Sequence, residues 1–273
     1  MTFIEKLNAA WRSNESMVCV GLDPDLKKLP ECVRNTEYPI FNFNKAIIDA
    51  TCNFVCAYKP QSAFYAGQDA DEELAMTMDY LHTTCPGIPV ILDVKRGDIG
   101  STASMYALEA FERYHADAVT VNPYMGVDTL KPFLDYADRG VFILCRTSNP
   151  SAVDLQNLVC DGKMVYEHVA ELAQNKWNYN GNAGLVVGAT YPGELKNVRT
   201  ICPDMPLLVP GVGAQGGDVQ AVVENGCDKN GYGMVINSSR GIIYASQGED
   251  FAEAAGAAAD ELRQLINSFR TAQ

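Results

Sequence analysis

Two aspartates and a lysine follow an apolar run near the first third of the chain: Asp93-Val94-Lys95-Arg96-Gly97-Asp98-Ile99. The run itself, Ile88-Pro89-Val90-Ile91-Leu92, reads as a short buried strand. Side chains alternate across a strand, so Asp93 and Lys95 are expected on one side, with Asp98 just beyond the strand end. Two carboxylates around one ammonium group favour its charged form. A protonated lysine held at a strand terminus is a proton donor. The same spacing also suits a structural ion pair, and the rest of the chain has to decide between the two.

Other chemistry-bearing residues stand at the ends of other apolar runs. One ends at Asp23, another at Lys59, and others at Arg146-Thr147-Ser148-Asn149 and at Asn237-Ser238-Ser239-Arg240-Gly241. A further run ends in Pro210-Gly211-Val212-Gly213-Ala214-Gln215-Gly216-Gly217. Glycines there let backbone N–H groups approach an anion, with Gln215 as an uncharged donor. Arg240 offers a planar fork for two phosphate oxygens. The plainer readings are a tight turn for the glycines, a surface arginine for Arg240, a turn initiator for Asp23 before Pro24, and an exposed loop lysine for Lys59 before Pro60. Alternation places Cys19, Gly21 and Asp23 on one side of their strand and Val55, Ala57 and Lys59 on one side of theirs. If both sides face inward, an alternating Asp–Lys–Asp–Lys–Asp array results.

The elements that must position these groups alternate along the whole chain. Strands are expected at 17–22, 54–59, 90–95, 118–122, 141–146, 184–188, 207–210 and 234–237, with helices including 71–82, 101–114, 129–136, 164–177, 218–224 and 251–269. Strand–helix alternation repeated about eight times predicts a parallel sheet closed into an α/β (β/α)₈ TIM barrel. A doubly wound open sheet is the rival, but Gly21-Leu22-Asp23-Pro24-Asp25 is not a dinucleotide fingerprint. The chain reads as one domain over 1–273, with extra loops around 24–40 and 148–182 at strand–helix junctions, where binding groups gather. In such a barrel the active site lies at the carboxyl ends of the strands, and phosphate is commonly held after strands seven and eight.

Composition narrows the function classes. With 273 residues and a formal net charge of −13, the chain has no general basic surface for nucleic acid. No apolar run reaches membrane-spanning length, and the N-terminus lacks the pattern of a signal peptide. The nine cysteines are irregularly spaced, without a CxxC pair, and three histidines stand apart from other metal ligands. The cysteines are expected to be reduced thiols of a cytoplasmic protein, with neither a disulfide framework nor a metal site.

At this point the sequence resembles the orotidine 5′-monophosphate decarboxylase family. Asp93-Val94-Lys95-Arg96-Gly97-Asp98-Ile99 matches the family's D-x-K-x-x-D-I signature. Gly21-Leu22-Asp23, Tyr58-Lys59-Pro60, Asn122-Pro123-Tyr124, the 210–217 stretch and Ser238-Ser239-Arg240 follow in the family's order across nearly the whole chain. Length and the stretch from Ala57 to Tyr65 resemble the longer subfamily.

The resemblance implies a lyase, needing neither metal nor cofactor, that converts orotidine 5′-monophosphate to UMP and CO₂ in pyrimidine biosynthesis. Lys95 is then the acid that protonates pyrimidine C6, and Asp93 lies against the substrate carboxylate. Lys59 and Asp23 hold ribose hydroxyls, and Ser148, with Thr147, contacts the pyrimidine edge. Gln215 and Arg240 bind the 5′-phosphate, with Gly213 and Ser239 as backbone donors. The resemblance also implies a homodimer in which Asp98, Ile99 and Thr102 enter the opposite active site, and no nucleic-acid or membrane partner. Gln61 stands where close relatives are expected to carry a smaller amide. Two alternatives stay open: a metal-dependent sugar-phosphate decarboxylase of the same superfamily, and a nucleotide-binding barrel without turnover.

Overall fold

Short β-branched runs, each too brief to form a helix and each followed by an amphipathic segment, set the architecture of the chain. The computed structural model describes residues 1–212 and 218–270. Among them, eight strands form the main sheet: β1 Val18–Leu22, β2 Ala57–Pro60, β3 Ile91–Arg96, β4 Ala118–Val121, β5 Gly140–Arg146, β6 Ala183–Val187, β7 Leu207–Pro210 and β8 Met234–Ser238. They pair in parallel in chain order, and β8 returns to β1 in the register Val18–Ile236. Single bridges from Tyr58 to Val90 and from Gln61 to Asp93 join β2 to β3 and bring the sheet round into a nearly closed (β/α)₈ barrel. Most strand residues are buried on both faces, as a barrel lined inside by side chains and wrapped outside by helices requires.

The principal helices are α1 Phe3–Ser13, α2 Pro39–Thr51, α3 Asp71–Thr84, α4 Gly100–Leu108, α5 Val127–Leu134, α6 Val165–Leu172, α7 Pro192–Ile201, α8 Val219–Gly226 and α9 Phe251–Phe269. α4 and α6 each run on into one wider turn, Glu109–Arg113 and Ala173–Trp177, so the two long helices expected there are continuous but not uniform. α1 is started by a capping box between Thr2 and Glu5. It covers the amino ends of the strands: Phe3 N–H donates to the Asp138 carbonyl at 2.8 Å and its ring meets Phe142 edge-on, while Trp11 Nε1 donates to the Met234 carbonyl at 2.8 Å. That end is plugged, which leaves the carboxyl ends for chemistry.

Both long junctions carry small elements. Residues 24–40 hold the turn Leu26–Lys28 and the helix Glu31–Arg34. After β5 come the turn Pro150–Asp154 and a two-stranded hairpin of Val159–Cys160 with Lys163–Met164.

One expectation is corrected here. Cys52 and Cys85 are joined as a disulfide, with Cα atoms 6.3 Å apart, so the cysteines are not all free thiols. The two lie 33 residues apart in sequence. They meet because α2 packs on α3 and each cysteine directly follows the last residue of its helix, which spacing along the chain cannot reveal. The other seven are free, and Cys19, Cys56, Cys145 and Cys202 are buried as core residues.

Candidate active site

The central group is Asp93, and the strand that carries it is irregular. Between the pairs Leu92–Val119 and Arg96–Val121 the register shifts, so β3 bulges against β4. Lys95 sits in the left-handed region with φ +47°, a conformation costly for a residue with a Cβ. Thr120 of β4 holds the bulge: its Oγ1 accepts the N–H groups of both Val94 and Lys95 at 3.0 Å and donates to Asp93 Oδ1 at 2.8 Å. Asp93 and Lys95 do meet as alternation predicts, but through this bulge and not through a regular pleat.

The charged groups form a chain. Lys95 Nζ lies 2.6 Å from Asp93 Oδ1, Lys59 Nζ lies 2.9 Å from Asp93 Oδ2, and Lys59 Nζ stands 3.8 Å from Asp23 Oδ1. Lys59 and Asp93 are almost wholly buried, whereas the Lys95 side chain is 44% exposed and reaches into open space. Burial works against charge on both buried groups. For Asp93 the ammonium groups of Lys59 and Lys95 outweigh it and hold the carboxyl well below the usual carboxylate range. For Lys59 the carboxylates of Asp23 and Asp93 outweigh it and push the ammonium above its ordinary value. Asp93 and Lys59 therefore both stay ionised across the neutral range.

These groups line a cavity of about 510 Å³ at the carboxyl ends of the strands, with Leu144, Val186 and Leu208 as its apolar floor. Asp23, Lys59, Asp93, Lys95, Thr147 and Ser148 all line it, together with Gln61, Thr120, Gln156 and Asn237. Thr120 lines the cavity and holds Asp93, yet the sequence alone did not mark it. Its signal was a lone hydroxyl in the otherwise apolar strand Ala118–Val121. Gln61 reaches the cavity while its Oε1 accepts the Ala63 N–H at 3.4 Å, at the start of the helix Ser62–Ala66.

Five expected residues among those described do not line that cavity: Asp98, Ile99, Thr102, Ser239 and Arg240. Asp98 does not bracket Lys95: its Oδ1 accepts the Ile99 N–H at 2.8 Å, and the ion pair of Lys95 is with Asp93. Ile99 and Thr102 are exposed around the start of α4. The five-membered array expected from spacing is thus four-membered within one chain, because β3 ends before Asp98 and the chain turns outward into α4. Ser239 precedes the short helix Arg240–Ile243, and the exposed Arg240 opens it, straight after β8. Gly213 and Gln215 lie outside the described residues.

Fold and site together define a (β/α)₈-barrel enzyme with two carboxylates and two ammonium groups alternating at its catalytic end. Residues 16–255 match the family described as Orotidine 5′-phosphate decarboxylase / HUMPS family. The chain is 57% identical over 270 residues to the orotidine 5′-phosphate decarboxylase of Cupriavidus necator, and 56% identical over 270 residues to that of Dechloromonas aromatica, covering 99% of this chain in both cases and 99% and 100% of theirs. Among solved structures, Leishmania donovani OMP decarboxylase superposes with a TM-score of 0.85 at 40% identity, covering 99% of each chain. Leishmania donovani UMP synthase superposes with a TM-score of 0.88 at 42% identity, over 99% of this chain and 57% of that one. This chain belongs to the orotidine 5′-phosphate decarboxylase family.

Proposed function

We propose that the chain decarboxylates orotidine 5′-monophosphate to UMP and CO₂, the closing step of pyrimidine nucleotide synthesis, as the names of its relatives indicate. The observation that carries the reading is the Asp23–Lys59–Asp93–Lys95 chain of ion pairs lining one cavity. Loss of CO₂ leaves negative charge on pyrimidine C6, with no neighbouring carbonyl to absorb it. An ammonium group fixed beside that carbon stabilises the charge electrostatically and then supplies the proton. Lys95, held by Asp93 and by the bulge of β3, is that group. Asp93 lies against the departing carboxylate. Asp23 Oδ1 is buried with no hydrogen-bond donor among the described residues, which suits an acceptor for a ribose hydroxyl, with Lys59 beside it. Ser148 and Thr147 face the pyrimidine edge. Arg240 and Gln215 take the 5′-phosphate, with Gly213 and Ser239 as backbone donors, and binding energy from that distant anion holds the reacting end in place.

The reading includes a homodimer, with Asp98, Ile99 and Thr102 completing the partner's site. Its support is the exposed apolar strip formed by Ile99, Met105 and Leu108 around α4 and by Tyr124, Met125 and Val127 before and at the start of α5. Asp98 lies at the edge of that strip. A cytoplasmic setting, beside the soluble nucleotide pool, belongs to the same reading, and fractionation of cells carrying a tagged chain tests it. The reaction requires neither metal nor cofactor in this scheme. The test follows the fall in ultraviolet absorbance of orotidine 5′-monophosphate with a chelator present. Wild type should turn over and Lys95→Ala should not. Turnover that stops with chelator would instead favour the metal-dependent relatives that share the family name.

A further inference from the structure

Among the described residues, Arg146 is the largest of the fully buried side chains, and it does not line the cavity. It ends β5 at a second irregularity: between the pairs Leu144–Val186 and Arg146–Val187 the register with β6 shifts. Leu144 lines the cavity, and Cys145 turns toward α6, its thiol 3.2 Å from the Tyr166 carbonyl. Arg146 is directed instead onto the start of α7. Its Nε stands 2.6 Å from Glu194 Oε2, its guanidinium lies 4.5 Å from the Tyr191 ring centroid, and Nη1 donates to the Thr147 carbonyl at 2.6 Å.

The contacts continue around the segment that follows. Glu194 Oε1 accepts Asn157 Nδ2 at 3.2 Å. The preceding residue, Gln156, accepts the Thr147 N–H on Oε1 at 2.8 Å and donates from Nε2 to Thr147 Oγ1 at 2.8 Å. Beneath, Gly188 N–H donates to the Arg146 carbonyl at 2.7 Å, and a Cβ at Gly188 would lie 2.9 Å from the backbone of Ser148. Thr147 is therefore held through its carbonyl, its N–H and its hydroxyl, and the backbone of Ser148 that follows it rests against Gly188.

A buried ion pair is weak grounds for stability, since well-packed apolar residues do as well. What this pair adds is position: the Glu194 carboxylate anchors the guanidinium as an ion pair, with Nε and Oε2 making no directed hydrogen bond, while Nη1 donates to the Thr147 carbonyl. We propose that Arg146, with Glu194, is a positioning residue that sets Ser148 against the base of the bound nucleotide. The inference rests on Ser148 facing the pyrimidine edge.

The test compares inhibition by UMP with inhibition by ribose 5-phosphate, which lacks the base. Glu194→Gln, a change at the partly exposed end of the pair, and Arg146→Lys should each raise KI for UMP about tenfold while leaving KI for ribose 5-phosphate within about twofold. Arg146→Met should lose more than Arg146→Lys. Adding Ser148→Ala to Glu194→Gln should cost less than the two changes separately, since both act on one contact. Equal weakening of both ligands, or of neither, while Ser148→Ala alone still weakens UMP, overturns the role of Arg146. If Ser148→Ala leaves UMP binding unchanged, the base contact itself is wrong and the positioning role falls with it.

Discussion

Asp93 bridges two ammonium groups, and its neighbours decide what each substitution does. Lys95→Ala removes the proposed proton donor and should lower kcat at least about a thousandfold, read in the absorbance assay, with the fold retained because Lys95 is half exposed. Thr120→Val keeps the shape of the side chain but strips two N–H groups of their acceptor and Asp93 of a donor. We expect an unfolding free energy lower by about 2–3 kcal/mol and a clear fall in kcat, measured by denaturant titration and by turnover. The ionisation of Asp93 has a sign that can be checked. Its folded-state pKa lies below its unfolded value of about 3.9, so its contribution is complete above that value and is lost as pH falls through the folded value. The stability difference between wild type and Asp93→Asn should be level from about pH 5 to 9 and should shrink only below about pH 4. A slope through neutral pH would contradict an Asp93 that stays ionised there.

At the scale of elements, bulges at the ends of two strands do what regular pleats cannot. The one in β3 turns Lys95 into line with Asp93, and the one in β5 turns Arg146 away from the cavity. Period-2 alternation anticipated that Asp93 and Lys95 share a side, and they do. It gave no sign that Thr120 would fill the bulge, because that contact crosses from β4. Gly188 shows the same closeness of neighbouring strand ends. Gly188→Ala should displace the Ser148 backbone, at a cost of about 1–3 kcal/mol in stability and a rise in KM for orotidine 5′-monophosphate larger than any change for a ligand without the base. An unchanged KM would mean that the segment after β5 gives way without consequence.

At the scale of the molecule, the proposed dimer makes a sharp prediction. Asp98→Ala and Lys95→Ala should each be nearly inactive, and a mixture re-equilibrated through dissociation should recover about a quarter of wild-type activity, because one site in each mixed dimer is then intact. No recovery after subunit exchange would place Asp98 in its own chain's site. The disulfide predicts that titration of the unfolded, unreduced protein finds seven thiols, rising to nine after reduction, in keeping with seven free cysteines and one bonded pair.

Much of this was legible in the sequence. The eight strands and their order follow from local apolar runs and from the helical segments between them, both of which are short-range properties of the chain. The carboxylates and ammonium groups at the strand ends were visible for the same reason, since a parallel barrel gathers its strand ends at one rim. What only the tertiary structure decided are contacts between elements distant in sequence. They are the Thr120 hydroxyl inside the β3 bulge, the Arg146–Glu194 pair, the Cys52–Cys85 bond, and the turn that carries Asp98 away from Lys95. Spacing along a chain encodes which side a residue faces, but bulges and packing distances, set by the neighbouring strand or helix, decide which atoms touch.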